Sequence, residues 1–299
     1  MTALLPAILP VSLIICIGYL AGKTLKLDYQ TLSHLAIYIL VPALIASSLY
    51  RNTLSLQSAA GLIAGYLLTT LTLAVIVLLI SRGLKLSPPV KMSLLATTLF
   101  GNVGNLGLPM VSFTLGAAGL ERAIIYLISA AILMAGVGPA LLNTSGLRAG
   151  LALTLKLPLF WAMLAGLLLQ VSGLQLPFRL DEGIAMLGNA AIPIALVTLG
   201  MQLAQNPLQI GQYELMAASL RLLLAPLIAL GIGTSLRLAP LDLQVLVLQS
   251  AMPTAVNTLI WVNEFGGEPA RVARSIIGST LLSLVTLPIL LGLIPSIGP

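Results

Sequence analysis

The chain has 299 residues, of which 59% are hydrophobic and 7% charged, with a mean hydropathy of +1.09. Soluble domains carry about 25% charged residues, so a water-facing fold is excluded. The net charge of +6 comes from basic residues scattered over short polar stretches, which is a membrane-topology pattern and not a nucleic-acid surface.

Apolar windows of about 20 residues mark spanning helices. Ten occur, near 3–22, 31–50, 57–81, 91–115, 121–142, 151–172, 183–203, 213–236, 241–263 and 272–295. The runs are too long, and lack the two-residue alternation, for a transmembrane barrel. The predicted fold class is all-α integral membrane, one membrane unit with no soluble domain. The first span has no Lys or Arg before it and reads as a retained helix, not a signal peptide. Its Cys16, the single cysteine, reads as a small buried hydrophobe. His34, the single histidine, falls near the start of the second span and reads as interfacial, with a proton relay as the alternative.

The fourth span is written in helix breakers. Gly101-Asn102-Val103-Gly104-Asn105-Leu106-Gly107-Leu108-Pro109 lies inside an apolar run from about Met92 to Leu115. Irregular backbone at membrane depth is tolerated only where it is buried in protein or lines a polar cavity. The ninth span has a second interruption, Ser250-Ala251-Met252-Pro253-Thr254-Ala255-Val256-Asn257-Thr258. Interrupted spans at corresponding places in two halves point to a transporter's binding site.

The halves do correspond. Leu9, Pro10, Gly18 and Leu20 match Leu157, Pro158, Gly166 and Leu168. Pro42 and Ser47 match Pro193 and Thr198, and Arg122, Leu133, Pro139 and Leu142 match Arg271, Leu282, Pro288 and Leu291. Residues 1–145 and 146–299 thus read as two five-helix repeats, and an odd number of spans inverts the second. Lys23, Lys26, Arg82, Lys85, Lys91, Arg148, Lys156, Arg271 and Arg274 fall on one side, against Arg51, Arg122, Arg179 and Arg237 on the other. The richer side is cytoplasmic by the positive-inside rule, which puts both termini outside the inner membrane. Arg221, early in the eighth span, reads as snorkelling to the cytoplasmic interface. Arg122 and Arg271 read as end anchors.

Asn102-x-Gly104-x-x-Gly107-x-Pro109 resembles the fourth-helix signature of the auxin efflux carrier family, which includes bacterial malate and malonate permease-like proteins and plant auxin exporters. Ala251-Met252-Pro253-Thr254-Ala255 resembles the ninth-helix signature of the bacterial members, and Pro193 to Leu203 the seventh span. The resemblance runs from the first span to the last. It implies two inverted five-helix repeats, with helices 1, 2, 6 and 7 as scaffold and 3–5 and 8–10 as a mobile domain. It also implies elevator-like movement, a homodimer, and a substrate contact for Asn102.

Helix breaks expose free N–H groups and partial positive charge at each new helix start. A carboxylate can bind there without a nearby Lys or Arg, which suits spans whose middles hold no obvious basic residue. The candidate substrate-binding residues are Asn102, Gly104, Asn105, Gly107, Pro109, Pro253, Thr254 and Asn257. The asparagines have a structural alternative as helix caps or interhelical bridges. Pro42, Ser47, Pro193 and Thr198 are candidate scaffold-lining residues, with kinks and back-bonding as alternatives. Asp28, Glu121, Asp181, Glu182, Glu214, Asp242, Glu264 and Glu268 map to loops or span ends. Buried acids are the usual proton relay, so their absence favours uniport, electrically driven movement, or sodium held by carbonyls and hydroxyls.

The function expected is secondary transport of small organic anions, with the lipid bilayer and a second copy as partners and no cofactor or nucleic acid. The alternatives are a sodium-coupled bile-acid-type symporter and a non-transporting receptor or scaffold. One His, one Cys and no mid-span acid leave too few groups for an embedded enzyme.

Overall fold

The computed structural model describes residues 5–51, 54–142, 152–205, 209 and 211–294. They are helical, with no strand among them except one isolated bridge. In chain order the helices are α1 (Leu5–Thr24), α2 (Tyr29–Tyr50), α3 (Leu56–Gly83), α4 (Pro88–Leu99) and α5 (Leu108–Leu142). Then come α6 (Pro158–Ser172), α7 (Pro177–Gln205), α8 (Gln212–Ser235), α9 (Pro240–Ser250), α10 (Thr258–Phe265) and α11 (Pro269–Leu293).

Local sequence sets where the helices start and stop. The Asp28 carboxylate accepts the N–H groups of Gln30 and Thr31 at the start of α2, and the Ser55 hydroxyl caps α3 through Ser58. Helices α4, α6, α9 and α11 begin with proline in the first turn, where a missing N–H costs nothing. Helix α6 ends on the left-handed Gly173. Gly116, at φ 66° and ψ −163°, divides α5 into 108–115 and 117–142, so the fourth and fifth expected spans meet there. That conformation is open to glycine alone at low cost.

Among the described residues, six stretches are long and apolar enough to cross a membrane: α2, α3, Val103–Gly136, α7, α8 and α11. The apolar parts of α1 and α6, Leu9–Thr24 and Pro158–Ser172, are shorter. Helices α4 and α9 have 12 and 11 residues. At 1.5 Å per residue each is about 17 Å long, half of a bilayer core of about 30 Å.

Two packing groups result. Helices α1, α2, α6 and α7 pack on one another, α1 most extensively on α7 and α2 on α6. Small residues permit this. A Cβ on Gly18 would lie 2.2 Å from the Val197 carbonyl oxygen, and one on Gly200 2.1 Å from that of Ile15. Across the other pair, Gly166 sits against the backbone of Ala46. Helices α3 to α5 and α8 to α11 form the second group, where α3 packs on α4, α5 and α8, and α11 on α4 and α8.

Two expectations fail here. Cys16 is exposed on the outer face of α1, because the inward face of that helix is taken by Val11, Ile15 and Gly18. Arg221 does not snorkel: it is 3% exposed, in the interior of the second group.

Candidate functional site at the helix crossover

The chain leaves helix at both predicted interruptions, and the two meet. After α4, Phe100 is extended (φ −105°, ψ 104°). Gly101 pairs with Thr254 in an antiparallel bridge. The Asn102 N–H donates to the Pro253 carbonyl at 2.6 Å, and the Ala255 N–H to the Phe100 carbonyl at 2.9 Å. Backbone groups that leave helix at this depth need partners inside the protein, and each break supplies the other's. Pro253, which has no N–H to place, contributes only its carbonyl.

Side chains lock the junction. Thr254 is fully buried; its hydroxyl donates to the Thr97 carbonyl at 2.8 Å and its N–H to the Ser279 hydroxyl at 3.1 Å. Asn102 caps the π-turn Val103–Gly107 that opens α5, its Oδ1 accepting the Asn105 N–H at 3.3 Å. Its Nδ2 is buried without a hydrogen-bond partner among the described residues.

Arg221 lies against the crossover. It belongs to a π-turn, Leu220–Leu224, just ahead of Pro226 in α8. Such bulges recur at functional sites. Its Nε donates to the Met252 carbonyl at 2.7 Å, and its two terminal nitrogens to the carbonyls of Thr98 and Gln249, each at 3.3 Å. These carbonyls belong to the C-terminal end of α4 and to the end of α9 and the residues after it. Each helix C-terminus carries about −0.5 elementary charge, so two of them about match one guanidinium. Burying a charge costs several kcal/mol, which three charge-assisted hydrogen bonds at about 1.5–3 kcal/mol each offset. Gly101 makes room: a Cβ there would come within 2.0 Å of the guanidinium.

A cavity of about 140 Å³ opens in front of the junction. One water needs only about 10–15 Å³ of such space, so the cavity has room for a small molecule. Asn102, Gly104, Asn105 and Asn257 line it, with Tyr66 from α3, Tyr126 from α5 and Arg221, the one charged lining residue among those described. Tyr126 meets Tyr66 edge-on with centroids 4.7 Å apart, and its hydroxyl lies 3.1 Å from that of Ser250. Residues 103–105 and 255–257, at or just before helix starts, line the cavity, as do Leu99 and Phe100 at the end of α4, and the helix-end carbonyls of Thr98 and Gln249 accept from Arg221.

The remaining predicted residues sit elsewhere. Gly107 is packed on α9, where a Cβ would lie 2.1 Å from the Gln249 Oε1. Pro109, Pro253 and Thr254 are buried outside the cavity lining. In the first packing group Ile37 and Val41 reach the cavity, while Pro42, Ser47, Pro193 and Thr198 do not. Ser47 bonds back to the Leu44 carbonyl and Thr198 to that of Ile194, the local bonding open to such residues. The expectation of no basic residue at mid-span is overturned by Arg221. Tyr66, Tyr126 and Arg221 escaped the sequence reading, although an arginine nine residues into an apolar helix was itself a signal. Asp242 and Glu214 lie in the first turns of α9 and α8. Asp242, 2% exposed, pairs with Arg122 at 2.5 Å, and Glu214 with Arg274 at 2.8 Å.

A multi-pass helical protein with two broken helices joined at a small cavity is built as a membrane carrier. Comparison with known proteins agrees: the family described as membrane transport protein matches residues 3–151 and 147–291. The chain belongs to this family, the auxin efflux carriers. It is 31% identical over 294 residues to an uncharacterized transporter of Methanothermobacter thermautotrophicus, covering 94% of this chain and 95% of that one. A Rhizobium meliloti protein named "Putative malonate transporter" is 26% identical over 97% of this chain and 95% of its own length. The transporter YfdV of Escherichia coli, also uncharacterized, is 28% identical over 58% of this chain and 57% of its own. The family and these relatives are membrane transporters, not enzymes.

Proposed function

We propose that the protein is a secondary transporter of small organic anions, carboxylates first among them, and that it binds them in the crossover cavity. The observation that carries this reading is the cavity's charge: among the described residues Arg221 is its one charged lining residue, and none of the salt bridges involves it. With the helix ends compensated by Arg221, the helix starts at 103–105 and 258 keep their partial positive charge. Asn102 Nδ2 is a buried donor without a partner among the described residues, a group that costs about 1–3 kcal/mol until something accepts from it. A carboxylate answers both features. The name of the Rhizobium meliloti relative supports a dicarboxylate as the first substrate to try.

The mechanism we favour is an elevator. The ten spans are two inverted repeats, 1–145 and 146–299, both termini lie outside the inner membrane, α1, α2, α6 and α7 form the fixed scaffold, and two copies form a homodimer. Supporting the repeat, its matched residues make exchanged contacts: Gly18 rests on Val197, and its counterpart Gly166 on Ala46, which lies at the position equivalent to Val197. Supporting the elevator, the crossover is tied through Thr254 and Ser279 into the second packing group, so site and group would move together. Uptake of labelled malonate, malate and succinate into proteoliposomes tests the function. Uptake of one acid that Arg221→Gln abolishes is the expected result. Transport of a cation or neutral solute, with none of the acids taken up or competing, would overturn it.

A further inference from the structure

Sodium-driven carriers with broken helices hold the ion on unwound carbonyls and half-helix C-termini. Here the matching carbonyls, those of Thr98, Gln249 and Met252, all accept from the Arg221 guanidinium. We infer that Arg221 is a tethered substitute for a coupling cation: it fills a monovalent-cation site at the two helix ends, and transport is therefore independent of sodium.

Charge, geometry and space support this. The two C-termini together present about −1 elementary charge, which a single positive charge balances and a divalent ion would overshoot. The carbonyls come from both breaks, so a cation here joins the ends of α4 and α9, as Arg221 does. Gly101 leaves space that the guanidinium fills, with a would-be Cβ 2.0 Å from it. No acid is hydrogen-bonded or ion-paired with Arg221 among the described residues; the guanidinium donates to three backbone carbonyls and also interacts with the Tyr126 hydroxyl, which is neutral. The tether keeps the positive charge in place on both sides of the transport cycle, whereas an ion would have to bind and leave. The inference concerns cations and stands apart from the identity of the transported anion.

The test is thermal unfolding of the purified full-length protein in detergent, with sodium chloride exchanged for choline chloride at constant ionic strength and no substrate present. The wild type is expected to melt at the same temperature in both salts. Arg221→Ala exposes the carbonyls and is expected to gain a saturable rise in melting temperature with sodium but not with choline, because a ligand of the folded state alone stabilises it. Arg221→Lys, which keeps a tethered charge, should show no sodium effect. A saturable sodium shift in the wild type would overturn the inference. So would a monodisperse Arg221→Ala protein that responds alike to both salts. Should the alanine variant fail to fold, Arg221→Gln takes its place with the same two readings, and the wild-type comparison stands by itself.

Discussion

The N–H of Asn102 and the carbonyl of Pro253, 2.6 Å apart and 151 residues apart in sequence, join the two broken helices. Asn102 and Arg221 both line the cavity beside this bond, and Arg221 also holds the helix ends that the bond joins. Substitutions around it should therefore separate binding from folding.

Asn102→Ala removes both the cap on Asn105 and the free Nδ2. We expect anion affinity to fall by about 1–3 kcal/mol. Asn102→Asp keeps the capping oxygen but replaces the donor with a negative charge; it should lose affinity at least as much while losing less stability. Calorimetric dissociation constants read beside melting temperatures check the pair. Unchanged affinity in both variants would make Asn102 a cap only.

Gly101→Ala should destabilise the protein by about 1–3 kcal/mol, the usual cost of overpacking, and lower transport, because the new methyl meets the guanidinium. Combined with Arg221→Ala, which removes the obstacle, the methyl should cost much less. A double-mutant cycle by thermal unfolding measures the coupling. Strict additivity would show that the close approach has no energetic weight.

Asp242→Asn leaves Arg122 without its buried partner and should cost about 3–5 kcal/mol. The pair lies away from the cavity lining, so the affinity of protein that still folds should be unchanged. Replacing both residues with apolar side chains should recover much of the loss. Melting curves decide this, and a mild effect of Asp242→Asn would contradict the pairing.

The orientation is checked by cysteine labelling in a Cys16→Ser background. Leu56, 89% exposed at the start of α3, lies on the outer side in the proposed topology. Leu56→Cys should react with a membrane-impermeant maleimide in intact cells, and Lys85→Cys only after permeabilisation. The reverse pattern would invert the topology.

Much of the fold and part of the site were legible in the sequence, for identifiable reasons. Glycine, asparagine and proline in an apolar run mark a break whatever surrounds it, so 101–109 and 250–258 could be located. Which broken residues face a cavity depends on how two distant segments cross. That is why Asn102 and Asn257 line it while Thr254, equally polar, is spent on Thr97 and Ser279. Arg221 was misplaced for the same reason. Its position early in α8 suggested an interface, but the partners that bury it lie about 30 and 120 residues away. Cys16 shows the opposite error: an apolar helix in lipid buries one face only, and composition does not reveal which.

The central claim is that an anion binds at the crossover against Arg221 and Asn102. Isothermal titration of the purified protein with malonate, malate and succinate, repeated on Arg221→Lys and Asn102→Ala, tests it most directly. Saturable binding of one dicarboxylate to the wild type, weakened in both variants while each remains folded, is the predicted result. Equal binding in all three proteins would place the anion elsewhere and contradict the account.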